Sequence, residues 1–165
     1  MQKYIEKLKK LDEKSSEELI SNGSEEHAIA LINRLLINAK ENVNIISSKL
    51  SLYNNSLVIG ALKTALKNNV SIKLLLDDYA DSGIDKGNEF LKICKENTGC
   101  NVKTYKQQLN AHIITRDGKA FRYCEKLGSN TAVASFNYPS VVKNADDKVF
   151  GKDSIFSNAS NFCLS

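Results

Sequence analysis

His112 is one of only two histidines in the 165-residue chain, and its setting gives an imidazole something to do. It falls between Asn110 and Ile114 on one face of an alternating stretch that runs into Asp117–Gly118. Three readings are open for a histidine so placed. It can be a core residue with a hydrogen-bonded neighbour, a donor to a bound anion, or a nucleophile or general base near neutral pH. Downstream, Ser135 and Asn137 close a short apolar run and offer a hydroxyl and an amide to an anion. Asn110, His112, Ser135 and Asn137 therefore form a candidate phosphate-binding set, with His112 as its candidate catalytic member. Asp117 and Asp146 are the candidate supporting acids. Asp77 and Asp78 end another apolar run, at the kind of edge where α/β sites gather, and can equally cap or solvate a loop. His27 falls in the first turn of an expected helix, where a capping or solvated role is expected.

The periodicities say which elements must position these residues. Tyr4, Ile5, Leu8 and Leu11 have helical spacing, and the segment 4–20 reads as an amphipathic helix stopped at Ser21–Asn22–Gly23. Ser24 is an N-cap followed by Glu25 and Glu26. A second helix with Ala28, Leu31, Ile32, Leu35 and Leu36 on its apolar stripe is expected to run to Lys40. Strand 43–47, helix 51–69 and strand 70–76 make a βαβ unit, so the two strands should be parallel. A helix over 86–97 and a strand over 101–106 follow. Strands 111–116 and 120–124 flank Asp117–Gly118, a strong hairpin signal. A strand over 132–136, a short strand at 149–150 and a tail helix over 153–162 capped by Asp153 complete the reading. The fold class expected is α/β: a mixed β-sheet sandwiched by helices, with an N-terminal helical segment over 1–37 and the main domain over 38–165.

Composition narrows the function classes. Hydrophobic residues are 42% and charged residues 25%, near globular averages, which excludes a disordered chain. The longest apolar runs, such as 72–76 broken by Lys73, fall far short of the roughly 20 residues of a membrane span. The opening MQKYIEKLKK is charged throughout and unlike a secretory signal, so a cytoplasmic location is expected. Cys94, Cys100, Cys124 and Cys163 lack metal-ligand spacing and read as reduced thiols. No metal and no cofactor is expected. A net charge of +4 permits a phosphate-bearing partner without demanding one. The Lys and Arg residues are spread over many segments and read as solvated faces.

The order of these elements resembles the phospholipase D superfamily. The stretch from Gln108 to Lys119, then Val133–Ala134–Ser135–Phe136–Asn137, then Lys143 to Val149 follows that family's succession. Its signature is His-x-Lys, four residues and Asp, then Gly-Ser-x-Asn, then Asn-x-Glu. The segments NVNIISSKLS and NNVSIKLLLDD are similar to the opening βαβ of the family's small bacterial endonucleases, and the likeness spans about residues 38–163. The motif is degenerate. With Asp117 at the signature acid, Asn110 stands at the histidine position, His112 at the lysine position and Asp146 at the glutamate. The other register puts His112 at the histidine but leaves Ile114 for the lysine and Lys119 for the acid, so the first is preferred. In the family a histidine attacks phosphorus, a second protonates the leaving group, and lysines and asparagines neutralise the phosphate oxygens.

The resemblance thus implies a phospholipase D-like domain that has lost catalysis and acts as a binding or assembly subunit. Domains of this size occur in bacterial DNA restriction and phage defence, a link by analogy of fold. The alternative is a dimeric, metal-independent phosphodiesterase or nuclease using His112 in an altered site. A single-motif chain also implies a homodimer or a larger assembly, with nucleic acid or another phosphodiester as ligand. The two N-terminal helices, the second bearing an apolar stripe, are the expected docking surface.

Overall fold

Several helices of this chain are started by short polar side chains. In a computed structural model, which describes residues 1–77, 87–109, 111–125 and 131–162, Ser24 Oγ accepts the His27 amide at 3.2 Å and opens helix α2, Glu25–Ile37. Asn55 starts α3, Ser56–Lys67, by accepting from the Leu57 amide, and Asn88 starts α4, Glu89–Glu96, by accepting from Leu91. The first helix, α1, covers Gln2–Glu13 and is shorter than its apolar periodicity suggested. Ser15 adopts φ 47°, and the Ser16 amide reaches back to the Leu11 carbonyl at 2.9 Å, a left-handed stop that ends the helix. Ile20–Asn22 beyond it is not helical. It forms strand β1, with Ile20 and Asn22 buried and Ser21 exposed, because an edge of the sheet is there to pair with it.

The remaining strands are β2 (Asn42–Ile46), β3 (Ser71–Asp77), β4 (Cys100–Tyr105), β5 (His112–Arg116), β6 (Ala120–Cys124), β7 (Ala132–Ser135) and β8 (Ser160–Asn161). They form one mixed sheet in the order β1-β7-β6-β5-β2-β3-β4-β8. β2, β3 and β4 are mutually parallel neighbours and the other pairings are antiparallel, so the expected βαβ unit and hairpin are both present. On one face, Val43, Ile45, Ile72, Leu74 and Ile114 pack with Leu31, Leu35, Leu62 and Phe90 in a single core cluster. That cluster also takes in Leu8 and Ile20 from the N-terminal segment. The α2 stripe is covered within the chain, with Leu31, Ile32, Leu35 and Leu36 at 0% exposure, so these residues are not open to a partner.

The other face carries two helices, α5 (Pro139–Val149) and α6 (Ile155–Asn158). The strand expected at 149–150 is the end of α5 instead. Pro139 at the helix start and Val142 on its buried side favour the helix, and Asp146 anchors it to the sheet. The tail helix is also shorter than expected. Ser154 caps it in place of Asp153, and β8 then adds an edge to β4. Ile46, Leu75, Phe150 and Phe156 make a smaller cluster on this face.

Candidate functional site

β2 and β3 run parallel, and β5 runs antiparallel beside β2 with Ile46 opposite Ile113. The carboxyl ends of β2 and β3 therefore meet the start of β5, bringing Ser47, Ser48, Asp77 and His112 to one edge. Asp77 is fully buried. Its Oδ1 accepts the Ser48 hydroxyl at 3.0 Å and its Oδ2 accepts the Leu109 amide at 2.8 Å, so it caps the segment leading into β5 rather than pointing to solvent. Asp78 lies outside the described residues, as does Asn110. His112 is half-buried and shares a face with Ile114. Burial holds its imidazole below the usual histidine pKa; the Asp77 carboxylate works against that and the Arg122 guanidinium adds to it.

Arg122 is the residue that the sequence reading passed over. It pairs with Ile114, while His112 pairs with Cys124, so Arg122 and His112 are diagonal neighbours on one face, with Cβ atoms ~7–8 Å apart. Arg122 is 2% exposed, and its Nε donates to Asn22 Oδ1 at 3.2 Å. A signal was present. Ala120, Arg122 and Cys124 alternate inward along β6, and a cation at the middle of such a triplet is costly unless it has work to do.

The other expected site residues lie elsewhere. Ile113 and Val133 both stand level with Tyr123, so Ser135 is level with Thr115 and Asn137 lies beyond it. Ser135 is three residues, ~10 Å, along the strand direction from His112, and two strands across. Its hydroxyl donates to the Ser16 carbonyl and accepts the Asn137 amide, both at 3.3 Å. Asp117 sits at the hairpin tip near Ser135. Asp117 and Gly118 have φ 51° and 67°, the left-handed pair that a tight hairpin uses. The Asp117 carboxylate accepts the amides of Lys40, Glu41 and Asn42 at 3.0, 2.8 and 3.0 Å, tying the tip to the start of β2. Asp146 accepts from Asn44 Nδ2 at 3.0 Å and from Thr115 Oγ1 at 2.7 Å, docking α5 on the sheet. Both acids hold the scaffold, and neither stands beside His112.

No protein-family model and no curated protein matches the sequence. Solved structures do match in shape. Nuc from Salmonella typhimurium, a phospholipase D family member, superposes with a TM-score of 0.65 at 15% identity, over 89% of this chain and 99% of that one. The fold is that of the phospholipase D family. NucT from Helicobacter pylori aligns at TM-score 0.67 and 9% identity, over 88% of this chain and 100% of its own. TrmBL2, an archaeal chromatin protein, aligns at 0.66 and 14%, over 98% of this chain and 60% of its own length. Within this phospholipase D fold, no group of three or more His, Cys, Asp or Glu side chains among the described residues is placed to hold a metal ion. No helix among them is long and apolar enough to cross a membrane.

At this edge of the phospholipase D fold a neutral imidazole stands beside a buried guanidinium, and these two are the groups that could donate to an oxyanion, the Asp77 carboxylate being turned inward onto Ser48 and Leu109. The depressed pKa of His112 has a measurable sign. Its unfolded form takes a proton near pH 6.5 and its folded form only at lower pH, so stability drops as the pH is lowered through the range where the unfolded chain binds more protons. The His112 contribution is full above the unfolded value and is lost as the pH falls through the folded one. Urea midpoints of the natural protein and of His112→Asn, taken at about pH 7.5 and about pH 5, check this. The natural protein should lose more stability than the variant on acidification; an equal or smaller loss would refute the assignment.

Proposed function

We propose that this protein is a non-catalytic phospholipase D-fold subunit that binds the phosphate backbone of nucleic acid and works as a homodimer. The observation that carries this reading is the strand register. His112 stands at one end of the β5–β6–β7 meander and Ser135 and Asn137 at the other, so the donors of the resembling motif do not converge on the one available imidazole. The edge around His112 and Arg122 keeps the means to hold an oxyanion. A second feature supports a polymeric anion. Lys3, Lys7, Lys10 and Lys14 follow one another on one side of α1, spanning ~16 Å at 1.5 Å per residue, with Glu6 and Glu18 beside them. TrmBL2, a chromatin protein whose structure shows a mode of DNA binding, has the same fold over 98% of this chain, which also favours DNA.

The dimer reading rests on the α5 face. A cleft of about 620 Å³ lies between α5 and strands β5 to β7, lined by apolar side chains including Ile113, Phe121 and Val133. Leu19, Tyr138 and Val141 are on it and are 57%, 37% and 40% exposed. Such a patch is what a second copy would cover. Light scattering should give twice the 18.3 kDa chain mass at micromolar concentration. Anisotropy of labelled duplex DNA should show binding at about 50 mM salt that weakens steeply by about 200 mM, and less steeply in Lys3→Ala/Lys10→Ala/Lys14→Ala. A monomer that fails to bind at the lower salt would end the proposal.

A further inference from the structure

Two thiols meet where α4 turns into β4. Cys94 is on the buried side of α4 at 1% exposure, and Cys100 opens β4 half-buried against the same core cluster. Both line one cleft of about 530 Å³, with Lys92, Lys95 and Phe162 around its mouth. Neither is in a disulfide. The turn between them is short and closed by its own hydrogen bonds, from the Cys100 amide to the Asn97 carbonyl at 3.0 Å and from the Gly99 amide to Asn97 Oδ1 at 2.9 Å. The two thiols are near enough across this turn to shift each other's ionisation.

We propose that Cys94 and Cys100 are a peroxide-responsive pair that closes to a reversible disulfide. Cys100 is the attacking sulfur. It is the more accessible of the two, and its neighbour Cys94 holds its thiol below the ordinary cysteine pKa, while Cys100 beside it and burial push the Cys94 thiol up. The Cys100 thiolate attacks one peroxide oxygen, the O–O bond breaks, and the departing hydroxide takes up a proton as water; Cys100 is now a sulfenic acid. The Cys94 sulfur then attacks that of Cys100. The S–O bond breaks, its oxygen leaves as a second water with the Cys94 proton, and the S–S bond forms. One peroxide and two thiols have become one disulfide and two waters, sulfur losing two electrons and peroxide oxygen gaining them.

Trypsin makes the test direct, because Lys95 separates the two cysteines. Purified, fully reduced protein is treated with equimolar hydrogen peroxide, unfolded, alkylated and digested. Free thiols should fall from the four in the sequence to two. The peptide Ile93–Lys95 should be joined to Glu96–Lys103, and dithiothreitol should restore all four. In Cys94→Ala, Cys100 should be trapped by dimedone as the sulfenic acid. The inference is overturned if the count stays at four, if Cys100 joins Cys163 or another chain, or if it passes directly to sulfinic acid in the natural protein. The peptide map is made on the natural protein, so it does not depend on how a variant folds.

Discussion

Incubated with bis-p-nitrophenyl phosphate, single-stranded DNA or duplex DNA in the presence of EDTA, the protein should release no nitrophenolate and leave the strands intact. The family reaction that the motif order resembles needs a neutral imidazole in line with phosphorus, a second imidazole for the leaving group, and cations on the equatorial oxygens. In the motif register that the resemblance favours, Asn110 falls at the histidine position, and an amide nitrogen has its lone pair delocalised. In that register His112 falls two residues from the nucleophile position, ~6–7 Å along a strand. It also replaces the lysine, and because burial keeps its ring neutral the positive charge of that lysine is lost. Ser135 and Asn137 face the far end of the meander. Losing one transition-state donor typically costs on the order of 10²–10³ in rate, and losing the nucleophile costs more. EDTA is present because the resemblance implies chemistry without a metal. Cleavage that disappears in His112→Ala would establish His112 as a relocated catalytic residue and overturn the proposed function.

Asp12→Ala should be the most destabilising single substitution among the ionic contacts of the described residues. The Asp12 carboxylate is 6% exposed and Arg116 is 4% exposed. Oδ1 accepts Arg116 Nη2 at 2.7 Å; Oδ2 accepts Arg116 Nη1 at 3.2 Å, Arg34 Nε at 2.9 Å and Asn38 Nδ2 at 2.8 Å. One side chain of α1 thus ties α2 and β5 together. Without it the Arg116 guanidinium keeps only Asp117, 3.9 Å from its Nε and too far for a hydrogen bond, and the Phe136 ring below it. A buried charge stripped of its partner costs ~3–5 kcal/mol, which for a chain of this size lowers the melting temperature by roughly 6–20 °C. Glu13→Ala breaks the exposed pair with Lys9 and serves as control, with a change within ~0.5 kcal/mol. Calorimetry and urea unfolding measure both. A loss below ~1 kcal/mol for Asp12→Ala would show that water relieves the Arg116 charge and that the buried pair is not what holds α1.

What the sequence determined by itself is whatever neighbours along the chain decide. Ser24 caps α2, the apolar stripe of that helix is buried, and Asp117–Gly118 turns the hairpin, because caps, periods and turns need only a few adjacent residues. The parallel β2–β3 pair was legible for a related reason: a helix of one stripe between two short strands leaves little other choice. What pairs with an edge is a different kind of question. Ile20–Asn22 becomes a strand and 149–150 does not, because β7 offers the first a ladder while Asn44 and Thr115 hold α5 through Asp146. The site depended on such long-range facts throughout. Asp117, Ser135 and His112 could be read as members of one ordered motif, but only the antiparallel register shows that Ser135 stands with the hairpin tip and His112 with Asp77 and Arg122. Each antiparallel step reverses which end of a strand is near. Proximity in the site was therefore decided by strand order and pairing sense, which the chain settles only when the whole sheet forms.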